Sequence, residues 1–300
     1  MNKWLILDCS YLCHRAMHTT GQLTFGDVKT GIIFGFLRDI GTLCSYHDTQ
    51  RIAFCFDSTK SKRRELYEPY KQARREKYEQ MDEEEAKIWT EFRAQVQKLR
   101  REYLPAIGFN NIFVQRGHEA DDIIGSLCLE TLPQDGSEGV IIASDHDLFQ
   151  LLGPLVTMWN PNKKQFYTAA DFRREWGIGP ERWHEVKAFA GCSGDGVEGI
   201  PGVGEKTAAR WLKGEVNPKH KVHDKILGGM KTYTRNVPLV RLPFEGTKVF
   251  ELVDDDVTKD KWNAVCQELG MTSLEGVDLG PDVRRRGVKP KNKRKGFGLT

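Results

Sequence analysis

Gly117-His118-Glu119-Ala120-Asp121-Asp122-Ile123-Ile124-Gly125 decides how this 300-residue chain is read. Three carboxylates fall within four residues, directly ahead of an apolar run. A helix over 119–132 crowds Glu119, Asp121 and Asp122 into its first turn. Such crowding is costly unless the charges have a task or reach solvent. Two acid-bearing strand ends lie upstream, Leu5-Ile6-Leu7-Asp8 and Ala53-Phe54-Cys55-Phe56-Asp57. A third, Ile141-Ile142-Ala143-Ser144-Asp145-His146-Asp147, lies downstream. Acids converging on one edge of a sheet point to a divalent-metal site.

Working outward, 3–8, 51–57, 111–115, 140–144 and 155–160 read as strands. Residues 10–20 read as a helix. So do residues 30–47, where Ile33, Phe34, Phe36, Leu37, Ile40 and Leu43 recur at helical spacing. The helix over 119–132 is expected to stop near Pro133, with Gly136 in the loop. Alternation of strands and helices predicts an α/β fold with a mostly parallel sheet covered on both faces. Ligands of such sheets bind beyond the carboxyl ends of the strands, where Asp8, Asp57, Asp145 and Asp147 fall. Residues 58–107 interrupt the rhythm: 60–77 are basic and aromatic, and 82–104 form a long helical stretch ending at Pro105. An insertion of this size is usually functional. From about 169 the chain turns helical, with Thr168 as a cap and Pro180 suited to a first turn. Eight basic residues in 284–295, with little that is apolar, read as a mobile tail.

Composition narrows the classes. Apolar residues make up 39% and charged residues 29% of a chain of net charge +3, as in a folded, charged globular protein. Positive charge concentrates at 60–77 and after Arg284, and negative charge at 79–85 and at the strand ends. Basic patches beside an acidic pocket suit a nucleic-acid substrate. Seven cysteines without a CxxC pair argue against a disulfide framework or a zinc finger and for a reducing compartment. No secretory signal is evident, and no apolar run approaches membrane-spanning length. The expectation is a cytoplasmic monomer with no membrane partner, whether free in the cell, near the nucleoid or in a phage-infected host.

Seven acids are on offer at the strand ends and helix start: Asp8, Asp57, Glu119, Asp121, Asp122, Asp145 and Asp147. Mg2+ and Mn2+ prefer oxygen ligands, and two such ions about 4 Å apart can clamp a phosphodiester. Asp8 or Asp145 alone reads as a helix cap; the whole set does not, because repulsion would raise its pKa values without a cation. In Gly199-Ile200-Pro201-Gly202-Val203-Gly204-Glu205-Lys206-Thr207, glycines precede a helix start and leave backbone N–H groups open to a phosphate. A plain glycine-rich helix–helix turn explains that stretch about as well. Lys60, Lys62, Arg63, Arg64, Lys71, Arg74, Arg75 and Lys77 interleave with Tyr67, Tyr70 and Tyr78. This is a pattern for phosphate neutralisation and base stacking, though a charge run by itself is more often a solvated face.

In motif and order the chain resembles the flap endonuclease / 5′–3′ exonuclease family, which includes the 5′-nuclease domain of bacterial DNA polymerase I and free-standing phage-type 5′ nucleases. The resemblance rests on Asp8-Cys9-Ser10-Tyr11, Phe56-Asp57 with Arg63-Arg64 and Tyr70-Lys71, Glu119-Ala120-Asp121-Asp122, Ser144-Asp145-His146-Asp147-Leu148, and Asp171-Phe172 onward to Gly202-Val203-Gly204-Glu205-Lys206-Thr207-Ala208. It covers roughly residues 3–215. It implies a PIN-like catalytic domain over 1–168 with a helical arch at about 58–107. A helical DNA-binding region with a helix–three-turn–helix follows over 169–282; the basic tail over 283–300 is read from composition and lies beyond the resemblance. It implies two Mg2+ or Mn2+ ions, one held mainly by Asp8, Asp57, Glu119 and Asp121, the other by Asp145, Asp147 and Asp195, with Asp122 between them. Lys71, assisted by Arg64 or Arg75, would act on the scissile phosphate. Gly199, Gly202, Gly204, Lys206, Thr207, Tyr70 and Arg74 would contact DNA, with K+ at the helix–three-turn–helix. The implied partner is DNA with free 5′ ends, flaps or nicks, and the implied product carries a 5′-phosphate.

The chain departs from the family at Gly191-Cys192-Ser193-Gly194-Asp195, where Cys192 stands at an acid's position. A neutral thiol is a poor Mg2+ ligand, so the resemblance implies a weaker second metal. A PIN-type ribonuclease shares the acid pocket but lacks the arch and the hairpin. A non-catalytic junction-binding protein would be expected to lose more acids than one. With no polymerase domain following, the chain reads as a free-standing nuclease or a trimmed fragment.

Overall fold

The computed structural model describes residues 2–277 and Leu279; the expected basic tail at 283–300 lies outside the described residues. The central sheet is built from β1 (Lys3–Asp8), β4 (Ile52–Cys55), β5 (Ile112–Phe113), β6 (Glu138–Ile142), β7 (Val156–Asn160) and β8 (Gln165–Tyr167). β2 (Thr24–Phe25) and β3 (Val28–Lys29) form a separate hairpin, and β9 (Gly191–Cys192) pairs with β10 (Val197–Glu198). The sheet runs β5-β4-β1-β6-β7-β8. All its pairs are parallel except β7–β8. β1 is the hub, with Leu7 opposite Phe54 on one side and Ile142 on the other. Trp4, Leu5, Ile6 and Leu7 are all buried, as a strand covered on both faces requires. The hairpin β2–β3 and the short edge strand β8 were not anticipated; they are too brief to carry a period.

Helices Cys9–Thr20 and Gly31–His47 cover one face. Leu12, Ile33, Phe36 and Phe54 share a core there with Leu99 and Leu104. On the other face Ile6, Ile123, Ile124 and Ile141 pack with Trp183, Val186 and Phe189. The apolar cluster therefore crosses residue 168 without a break. Trp262 and Cys266, from the helix Lys259–Glu268, return to the first core. Between them, 242–257 runs as an irregular strap. Asn111 holds it at Val253 from both ends of its amide, Ser126 at Lys248 and Thr131 at Phe250.

Both long helices run past the prolines expected to end them. A π turn, Leu99–Tyr103 or Leu127–Thr131, precedes Pro105 and Pro133. Its wider hydrogen-bond spacing accommodates a ring with no N–H to donate. The helices then end at left-handed Gly108 and Gly136. Thr168 caps Ala169–Trp176 as read from sequence, and Pro180 opens a 3-10 turn ahead of Trp183–Ala190.

Candidate metal centre

An open cleft of about 600 Å3 lies at the carboxyl end of the sheet. Asp8, Asp57, Glu119, Asp121, Asp145 and Asp195 line it, with Lys71 and Arg74 on its rim. Parallel strands bring these acids together: Asp8 ends β1, and Asp57 and Asp145 follow β4 and β6 at the same edge. Capping orients them. Asp8 Oδ1 accepts from Tyr11 N at 3.0 Å, Asp145 Oδ1 from Asp147 N at 2.8 Å and Asp57 Oδ1 from Ala120 N at 2.8 Å. Cap and cleft ligand are thus not alternatives here, since each carboxylate ties one oxygen to a cap and still lines the cleft.

Electrostatics mark the cleft floor. Burial, then Asp57, pushes the Asp8 carboxyl up to about 7. Burial, then Asp8 and Asp145, holds Asp121 well above the usual carboxylate range. Burial and Asp147 raise Asp145. Buried acids facing one another resist ionisation unless a cation joins them. All-oxygen donors of this kind suit a hard divalent ion.

Asp122 goes elsewhere. It is fully buried and outside the cleft lining. Arg63 grips both its oxygens at 2.7 Å, and those oxygens also accept from Glu119 N and Phe244 N at 2.9 Å. Every lone pair directed at a neighbour is in use, so the expected position between two ions is not available to it. Successive residues at a helix start point in directions about 100° apart. Asp121 therefore meets the cleft while Asp122 meets the insertion. Arg63 also donates to Leu239 O at 2.8 Å, and the guanidinium so anchors the start of the insertion.

The rest of the insertion divides. Tyr70 is 2% exposed and offers no face for a base, contrary to the expected DNA contact. Its hydroxyl instead donates to Glu119 Oε2 at 2.9 Å. Lys71 Nζ donates to the same oxygen at 2.8 Å. Burial opposes the Lys71 charge, but Asp195 and Glu119 outweigh it and hold the ammonium protonated. Arg74 reaches Asp195 Oδ1 at 3.2 Å. Arg75 turns away, to the carbonyls of Tyr70 and Glu68, and Arg64 is exposed outside the cleft lining.

Asp147 stands behind the cleft. Lys187 pairs with its Oδ1 at 2.8 Å and with Glu205 at 3.0 Å. Cys192 Sγ lies 3.3 Å from Asp147 Oδ2, and Asp195 completes a group whose ligand atoms all fall within 4.8 Å. Burial, then Asp147 and Asp195, keeps the Cys192 thiol protonated. Beyond β10, Ile200 and Val203 are buried and pin the turn, leaving Gly202, Gly204 and Lys206 exposed. Gly202 has φ +81 and Gly204 precedes the helix Glu205–Leu212. Gly199 serves packing: a Cβ there would stand 2.2 Å from the Ala190 backbone. Thr207 sits half-buried on the helix. Sequence reading missed the roles of Arg63 and Lys187, whose acid partners lie 59 and 40 residues away; no local pattern encodes such pairs.

Residues 3–177 match the family described as 5′-3′ exonuclease, N-terminal resolvase-like domain. The chain belongs to that family. DNA polymerase I of Mycobacterium leprae is 30% identical over 317 aligned residues, 93% of this chain but 33% of the relative. The chain thus spans about a third of the length of that polymerase. A 5′-3′ exonuclease of Aquifex aeolicus is 28% identical, covering 91% of this chain and 94% of the relative. Among solved structures, T5 5′-exonuclease with bound zinc superposes with a TM-score of 0.68 at 21% identity, covering 92% of this chain and 100% of that one. At that identity the likeness establishes a shared fold: a mostly parallel, resolvase-like sheet flanked by helices. None of the helices among the described residues is long and apolar enough to cross a membrane.

Proposed function

We propose that this member of the 5′-3′ exonuclease family is a divalent-metal-dependent, structure-specific 5′ nuclease. It cuts DNA as a 5′–3′ exonuclease, a flap endonuclease or both, and leaves 5′-phosphates. The observation that carries the reading is the cleft floor. There Asp8, Asp121 and Asp145 converge with raised pKa values beneath a rim of Lys71 and Arg74. Asp8, Asp57, Asp121 and Asp145, with Glu119 beside them, would hold one Mg2+ or Mn2+. Asp147 and Asp195 would hold a second divalent ion, at the site to which the family resemblance also assigns Asp145. Bound divalent ions supply an activated water and stabilise the leaving oxygen of a phosphodiester.

The chain's own residues do the rest. Lys71, kept cationic by Asp195 and Glu119, holds the scissile phosphate over the floor, and Arg74 extends the positive rim. Arg63 locks Asp122 and so fixes the helix start that aims Asp121. The exposed N–H groups around Gly202 and Gly204, with Lys206, grip a duplex phosphate without reading sequence. A monovalent cation such as K+ would share that turn. All seven cysteines are free, which supports action in a reducing cytoplasm; we take the working form to be a monomer.

The test is cleavage of 5′-labelled flap, nicked duplex, single-stranded DNA and RNA, with Mg2+ and then with EDTA. Cutting of 5′-ended DNA in Mg2+ alone is expected. Metal-independent cutting, no DNA cutting, or a preference for RNA would overturn the reading.

A further inference from the structure

We propose that Asp147, Cys192 and Asp195 form a mixed sulfur–oxygen site that selects thiophilic divalent ions, such as Zn2+, Co2+ or Cd2+, over Mg2+. The proposal rests on the reading of Asp147 and Asp195 as metal-holding residues and adds a sulfur ligand to them.

Three observations carry it. The Cys192 Sγ and one oxygen from each aspartate lie within 4.8 Å of one another. The short ladder β9–β10, pairing Cys192 with Val197, fixes the thiol and the intervening Asp195 on one turn. Asp147 divides its oxygens, Oδ1 to Lys187 and Oδ2 towards the sulfur. Cys192 is also the one cysteine that is not fully buried; the other six are buried.

Charge then argues for softness. Lys187 already offsets Asp147, and Arg74 at 3.2 Å and Lys71 at 3.7 Å already offset Asp195. Any divalent cation gains less from acids so compensated, which leaves the sulfur to decide between ions. A thiolate binds a soft ion more strongly than it binds Mg2+. Binding exchanges the thiol proton for the ion, and the proton passes to solvent.

The experiment titrates Co2+ into the metal-free protein and records near-ultraviolet sulfur-to-cobalt charge-transfer absorption, beside calorimetric titrations with Cd2+ and Mg2+. The wild type, Cys192→Ser and Cys192→Asp are compared. The band is expected in the wild type and absent from both variants. Cd2+ affinity should fall by more than about tenfold in Cys192→Ser, since even loss of an outer-shell partner costs that much, and Mg2+ affinity should rise in Cys192→Asp. Co2+ binding without the band, or equal Cd2+ affinities, overturns the sulfur ligand. DNA cleavage by Cys192→Asp in Mg2+ is measured in parallel. If DNA is cut while the wild type shows no band, only this inference falls; if no form cuts DNA with any ion, the nuclease reading falls, whatever the spectrum shows.

Discussion

On the cleft floor Asp8, Asp121 and Asp145 face one another, and their charges are suppressed by burial and mutual repulsion. On the far side Asp147 and Asp195 sit against Lys187, Lys71 and Arg74. The floor leaves its electrostatic deficit to a diffusible ion, whereas the far side carries its own cations. Asp122 shows the limiting case. It is one residue from Asp121 yet fully enclosed by Arg63 and two backbone N–H groups. Carboxylate density alone therefore does not mark a metal site: Asp122 is spent on Arg63, and the far side offers its acids only in competition with its own cations.

The contrast breaks first at Asp121. Asp121→Asn keeps the shape and removes one charge from the floor. Cleavage in Mg2+ should drop by more than the roughly 100-fold that loss of an outer-shell partner costs. Thermal melting in EDTA at neutral pH should rise, because the fold no longer has to hold a buried acid against its neighbours, a carboxyl that ionises freely when unfolded. A wild-type cleavage rate, or a lower melting temperature in EDTA, would show that the floor is not built around a missing cation.

Arg63→Ala tests the enclosed case. It strands a buried carboxylate, and such a loss costs about 3–5 kcal/mol, readable as a shift in urea unfolding. Replacing both partners, Arg63→Met with Asp122→Leu, should recover much of that, since an apolar pair leaves no unpaired charge. A single-variant change below about 1 kcal/mol would place the Arg63–Asp122 clamp among weak surface pairs.

What the sequence disclosed follows the same division. The parallel sheet and the acids at its carboxyl edge were legible, because strand ends and helix starts are local and the sheet's topology collects them. Thr168 as a cap was legible for the same reason. The fates of Asp122 and Tyr70 were not, because burial depends on Arg63 and Glu119, far along the chain. The helices past Pro105 and Pro133 were missed because a π turn leaves no residue-type signature. The strap at 242–257 was opaque too, since its hydrogen bonds go to side chains on other elements.

A smaller effect separates floor from far side by pH. Asp8 titrates near 3.8 when unfolded and at about 7 in the fold. Between those values the folded carboxyl keeps a proton that the unfolded chain has lost. The unfolded state then binds fewer protons, so this group makes stability fall as pH rises through the window. The metal-free wild type should lose stability from pH 4 to pH 7 relative to Asp8→Asn, which preserves the cap. Mg2+ should reverse the trend, because the ion favours the ionised carboxylate. Parallel melting curves for the two proteins across that range would remove Asp8 from the strained set.

The smallest expected change lies outside the cleft. Lys206 is exposed at the start of the helix Glu205–Leu212, so its charge faces solvent, unlike that of Lys187. A lysine that neutralises one phosphate contributes about 0.9 to the slope of log affinity against log salt. Lys206→Ala should flatten that slope by about this amount on flap and nicked duplex alike, because a backbone contact is indifferent to sequence. Lys187→Met should leave the slope nearly unchanged, since Lys187 serves Asp147 and Glu205 inside the protein. Equal slopes for wild type and Lys206→Ala would take the glycine turn off the DNA path, and a flattened slope for Lys187→Met would mean that the far side's cations reach the substrate after all.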